Sequence, residues 1–121
     1  MRTSRFDAEV HRDPAIATVA LRGDIDREAE SGLAQAYAAA DAPIIVLDFT
    51  GVGYINSTGI ALIVRLLADG RRDRREVRAY GLSPHYAEIF ELTRLSDYLH
   101  IFADAADATA APVGQTTGGT A

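Results

Sequence analysis

The stretch Ile44-Ile45-Val46-Leu47-Asp48-Phe49-Thr50-Gly51-Val52-Gly53-Tyr54-Ile55-Asn56-Ser57-Thr58-Gly59-Ile60-Ala61-Leu62-Ile63 changes character part-way along. Its first six residues are nearly continuous apolar and β-branched, the pattern of a strand covered on both faces. From Ile60 the apolar residues fall at helical spacing, through Ile63, Val64 and Leu67, toward Asp69-Gly70. Between them, Thr50 to Ser57 reads as a connecting loop. A buried strand, a loop and an amphipathic helix are the units of an α/β sheet.

The same reading extends in both directions. Upstream, residues 6–11 alternate apolar and polar side chains, Arg12-Asp13-Pro14 reads as a turn, and Ile16 to Leu21 reads as a second strand. So short a link makes the two an antiparallel hairpin. Gly23-Asp24-Ile25-Asp26 ends the second strand, with Asp26 as helix cap, and residues 27–40 show an apolar face at Ala29, Leu33, Tyr37 and Ala40. Downstream come a charged loop at Arg71-Arg72-Asp73-Arg74-Arg75, a strand over 77–82, and a helix opened by Ser83-Pro84 with Tyr86, Ile89, Phe90 and Thr93 inward. A short strand over 98–102 and a weak helix over 103–111 complete the domain, expected to span residues 1–111. Residues 112–121 are expected to form a disordered tail. The predicted fold is α/β, with a mixed, mostly parallel sheet of four to five strands, an antiparallel hairpin strand at one edge, and helices mainly on one side.

Composition excludes several chemistries. All 12 basic residues are arginine, so the P-loop and Schiff-base lysines are missing. There is no cysteine, hence no thiolate metal site, and His11, His85 and His100 show no metal-ligand spacing. A net charge of −5 argues against direct nucleic-acid binding. The apolar run from Ile60 is broken by Arg65, so no membrane span is expected, and the chain reads as cytoplasmic.

The strand-to-helix turn is where open α/β sheets usually place their ligands. Its glycines fit neither nucleotide loop, because Asn56 stands where a dinucleotide fingerprint needs its third glycine. A nucleophile elbow fails too, with Ile55 in place of its first glycine. Asn56-Ser57-Thr58-Gly59 therefore has two readings. The plain one is a helix cap, by Asn56 or Ser57. The other is a protein-contact surface, with Gly59 leaving room for close approach. A phosphate on Ser57 would add about −1.5 to −2 charges where the helix dipole favours them. Asp24 and Asp26 are either turn and cap residues or an acidic rim beside Ser57.

Residues 46–63, together with Leu21-Arg22-Gly23-Asp24-Ile25-Asp26, Leu82-Ser83-Pro84 and Leu92-Thr93-Arg94-Leu95, resemble the STAS domain family, and most of all its bacterial anti-sigma factor antagonists. The resemblance spans roughly residues 5–108, one domain's worth. It implies a non-enzymatic protein without cofactor or metal. Such a protein binds an anti-sigma factor that is also a serine kinase, and so releases a sigma factor. Phosphorylation at the start of the second helix ends the interaction, and a phosphatase restores it. By motif, Ser57 is the phospho-acceptor, and Asp24, Asp26, Asn56, Ser57, Thr58 and Gly59 form the partner-binding set. Residue 56 departs from the family pattern: it is asparagine where aspartate is usual. A STAS subunit of a lipid-transport or sensory complex, never phosphorylated, is the alternative that the resemblance allows.

Overall fold

The computed structural model describes residues 5–110. The expected tail lies outside the described residues.

Strand β1 (Asp7–Arg12) turns through Asp13 into β2 (Ile16–Ile25). The Asp13 carboxylate makes that turn, accepting from the amides of Ala15 and Ile16 at 2.9 Å each. Those two bonds hold its carboxyl below the usual range. A 3-10 turn (Arg27–Ala29) then leads into α1 (Glu30–Ala39), followed by β3 (Ile44–Ile55), α2 (Ser57–Arg72), β4 (Glu76–Tyr80), α3 (Pro84–Leu92), β5 (His100–Ile101) and α4 (Ala105–Ala110). The strands form one sheet in the order β1-β2-β3-β4-β5. β1 is antiparallel to β2 and the other pairings are parallel. This is the predicted mixed sheet with a hairpin strand at its edge.

Alternation along the central strands assigns their faces. Val19, Leu21, Ile45, Leu47, Phe49, Val77 and Ala79 join the larger core with Leu33 and Ala36 of α1, Ile63, Leu66 and Leu67 of α2, and Phe90 of α3. Ile44 and Val46 face the other way, against Phe102 and Ala108. So three helices cover one face and the six-residue α4 covers part of the second, which is why β3 reads as apolar throughout. Arg78 supports α4. It is fully buried, its Nε donating to Glu76 Oε2 at 2.8 Å and its Nη1 to the Ala108 carbonyl at 2.8 Å.

Four details differ from the sequence reading. β3 does not stop at Phe49 but runs to Ile55, paired with β2 throughout. The register explains the misreading. Ala20 to Arg22 is two steps on β2 but Asp48 to Gly51 is three on β3, and Gly23 to Ile25 again faces three steps, Val52 to Ile55. Each extra residue is a bulge, and bulges break the two-residue period that reveals a strand. α2 runs two residues past Gly70, to Arg72, with Gly70 buried inside it; Arg74, with φ 60°, takes the left-handed turn that follows. Thr93 does not face inward but caps α3, exposed, with Oγ1 donating to the Ile89 carbonyl at 2.7 Å. The charged loop is shorter than read, because Arg71 and Arg72 belong to α2, and its last residue is anchored, with Arg75 Nη1 donating to the carbonyls of Tyr37 and Ala40 at 3.3 and 3.1 Å.

Candidate functional site

The turn between β3 and α2 is built by three backbone-directed contacts. Asn56 is extended and serves as the cap of α2, its Oδ1 accepting from the Gly59 amide at 2.8 Å. Its own amide donates to the Ile25 carbonyl at 3.3 Å, which ties the turn to the end of β2. On the other side, the Ile55 amide donates to Tyr86 Oη at 2.9 Å, and that hydroxyl donates to the Ile55 carbonyl at 3.4 Å.

Of the two cap candidates, then, Asn56 does the capping. Ser57 is the first helical residue, and its side chain is left over. Ser57 and Thr58 are exposed, and among the described residues their hydroxyls make no hydrogen bond. They lie at the N-terminus of a 16-residue helix, where unpaired amides and the dipole favour negative charge.

Gly59 faces inward and is buried. A Cβ there would collide with the Ile25 carbonyl and crowd the Ile55 side chain. The missing side chain makes room for the protein's own β2, rather than for an outside molecule.

Asp24 and Asp26 flank that same Ile25. Asp26 Oδ1 accepts from the Glu28 amide at 2.9 Å and so starts the 3-10 turn. Asp24 is half-buried, with its carboxylate alongside Gly53 of β3. Together with Arg5, Phe6 and Glu28 the two aspartates line a shallow cleft. The structure thus brings all six predicted site residues to one end of the sheet, where Ile25 pairs with Ile55. Asp26 is the cap residue of the sequence reading, whereas Asp24 lies within β2; both stand at the same end of the sheet as the Ser57 turn.

Tyr86 is the residue that the sequence reading missed here. Periodicity placed it on the inner face of α3, and nothing local announces that its hydroxyl reaches Ile55. His85 packs against the Tyr86 ring with centroids 4.9 Å apart, and among the described residues no histidine bonds to Ser57. Nor do any three of His, Asp and Glu converge there as a metal site. No helix among the described residues is long and apolar enough to cross a membrane.

The family profile described as "Mlab, STAS domain" matches residues 8–102. The chain belongs to the STAS domain family. Among its relatives is the anti-sigma-B factor antagonist of Listeria monocytogenes, 29% identical over 93 residues, which are 74% of this chain and 82% of the relative. The anti-sigma-B factor antagonist of Staphylococcus aureus is 32% identical over 57 residues, 47% of this chain and 53% of that one. The STAS fold is shared with an anti-sigma factor antagonist from Mycobacterium paratuberculosis, at a TM-score of 0.73 and 19% identity, covering 87% of this chain and 92% of the other. It is shared too with the anti-sigma factor antagonist SpoIIAA in its unphosphorylated form, at a TM-score of 0.65 and 14% identity, covering 87% and 94%.

Proposed function

We propose that this STAS domain is an anti-sigma factor antagonist. It binds an anti-sigma factor that is also a serine kinase, through the turn Asn56–Gly59 and the neighbouring Asp24–Asp26 segment. Binding releases the sigma factor. Phosphorylation of Ser57 by the kinase ends the interaction, and a phosphatase restores it.

The observation that carries this reading is the division of labour in the turn. Asn56 does the capping, so the exposed Ser57 hydroxyl is spare. A phosphate can be added without breaking any hydrogen bond of the fold, at a helix end that tolerates its charge. The partner would then meet bulk and two negative charges where it had met a hydroxyl, beside the existing carboxylates of Asp24 and Asp26. An unmatched charge in an interface costs several kcal/mol.

The test is incubation with the anti-sigma kinase and ATP, mass mapping of Ser57 and Thr58, and affinity measurements on two variants. Ser57→Ala is expected to keep binding and Ser57→Asp to lose it. Equal affinities would overturn the switch.

One observation favours a second reading, in which the turn is a permanent contact within a transport or sensory assembly. Residue 56 is asparagine, and its cap is complete without a carboxylate. That reading expects an unmodified Ser57 and a stable complex with the other subunits.

A further inference from the structure

β4 accompanies β3 only as far as the pair Asp48 and Tyr80. Beyond it, the last residues of β3 have β2 on one side and no strand on the other. In a parallel pair, alternate residues direct their amide and carbonyl to opposite sides. Asn56 bonds toward β2, through the Ile25 carbonyl. Ile55 bonds the other way, and there the Tyr86 hydroxyl meets both its amide and its carbonyl, at 2.9 and 3.4 Å. One phenol thus does the work of the missing strand at the last residue before the turn.

The other end of that phenol is anchored as well. Ser83 caps α3, its Oγ accepting from the Tyr86 amide at 3.3 Å, and Pro84 fixes the backbone at the helix start. The chain from the N-terminus of α3 to the N-terminus of α2 is therefore continuous: Ser83, Tyr86, Ile55, Asn56, Ser57. A ring without the hydroxyl would fill the same space. It would leave a half-buried amide and carbonyl unpaired, at the point where the strand gives way to the helix.

We infer that Tyr86 is a positioning residue for the Ser57 turn: its hydroxyl sets where β3 ends, and hence the orientation in which Ser57 is presented. The consequence for phosphoryl transfer rests on the switch reading above. Removing the hydroxyl lets the turn shift, and displacements of about 1 Å in a reacting group cost up to about a hundredfold in rate.

The experiment compares the full chain with Tyr86→Phe in two measurements. The first is residue-resolved amide hydrogen exchange. Exchange at Ile55 and Asn56 is expected to quicken about tenfold, the effect of losing one hydrogen bond to a half-buried group, while Val46 and Leu47 in the middle of β3 keep their rates. A uniform acceleration at all four would mean that Tyr86 only stabilises the fold, and unchanged rates would mean that the hydroxyl holds nothing; either overturns the inference. The second is steady-state phosphorylation by the anti-sigma kinase. The expectation is kcat lowered about tenfold with KM changed by less than about twofold, since orientation and not contact area is lost. Local exchange faster with kcat unchanged would overturn the link from Tyr86 to Ser57. A wild-type chain that takes no phosphate would sink the switch reading and this kinetic consequence, while the exchange data alone would still decide whether Tyr86 positions the turn.

Discussion

The carbonyl oxygen of Ile25 occupies the space that a side chain at residue 59 would need. Two segments 34 positions apart, the end of β2 and the first turn of α2, are in backbone contact because residue 59 has no Cβ. The same carbonyl accepts the Asn56 amide. Gly59→Ala must push α2 away from β2 and stretch that bond. Overpacking of this kind costs about 1–3 kcal/mol. Urea denaturation is expected to show that loss for Gly59→Ala, whereas Ala at the exposed neighbour Thr58 should change stability by less than about 0.5 kcal/mol. Equal effects at the two positions would refute the packing role of Gly59.

Asn56 differs from Gly59 in what it contributes. Its Oδ1 satisfies one of the free amides of α2, and aspartate has the same oxygen in the same place. Asn56→Ala is expected to lose about 1 kcal/mol, and Asn56→Asp to lose nothing or to gain a few tenths from the helix dipole. Thermal denaturation of the three proteins at low salt checks the order. If the alanine variant melted with the wild type, the cap would be idle.

A pH dependence arises at the opposite end of the domain, where Tyr37 Oη donates to Asp73 Oδ2 at 2.7 Å. Burial first, and then this bond, pushes the Tyr37 phenol up from 10.0 to about 12. The bond also holds the Asp73 carboxyl below its usual range. A phenol raised in the folded state stabilises the fold fully below pH 10 and loses that contribution as pH rises toward 12. The lowered carboxylate acts in the opposite sense: its contribution is present above its unfolded value and is lost as acid reaches its folded one. Denaturation midpoints of wild type and Tyr37→Phe should therefore differ most near neutral pH and converge as pH approaches 12. A difference independent of pH across that range would contradict the assignment.

Much of the fold is legible locally, and where it is not the cause can be named. Ile44 to Phe49 announces a central strand because α4 on one face and three helices on the other bury it on both sides. Thr50 to Ile55 hides a strand because its two bulges and the glycines at 51 and 53 erase the alternation. Gly70 suggests the end of a helix, yet the end is decided by Arg74, a residue type with no preference for that conformation. At the site, Asn56, Ser57 and Thr58 advertise a helix start by residue type alone. Gly59 advertises room for another protein's close approach, when its reason is an encounter with the protein's own Ile25.

By itself the sequence determined the order of strands and helices, the hairpin edge, and the position of the Asn56–Gly59 turn, because apolar period and capping chemistry act over a few residues. Tertiary structure decided the rest. It chose Asn56 rather than Ser57 as the cap, leaving the serine hydroxyl spare. It set Asp24 and Asp26 beside the turn through Ile25, and it brought the Tyr86 hydroxyl to Ile55 from 31 positions away. These contacts depend on how strands pair and where one of them stops, and no short-range pattern encodes a meeting between atoms so distant along the chain.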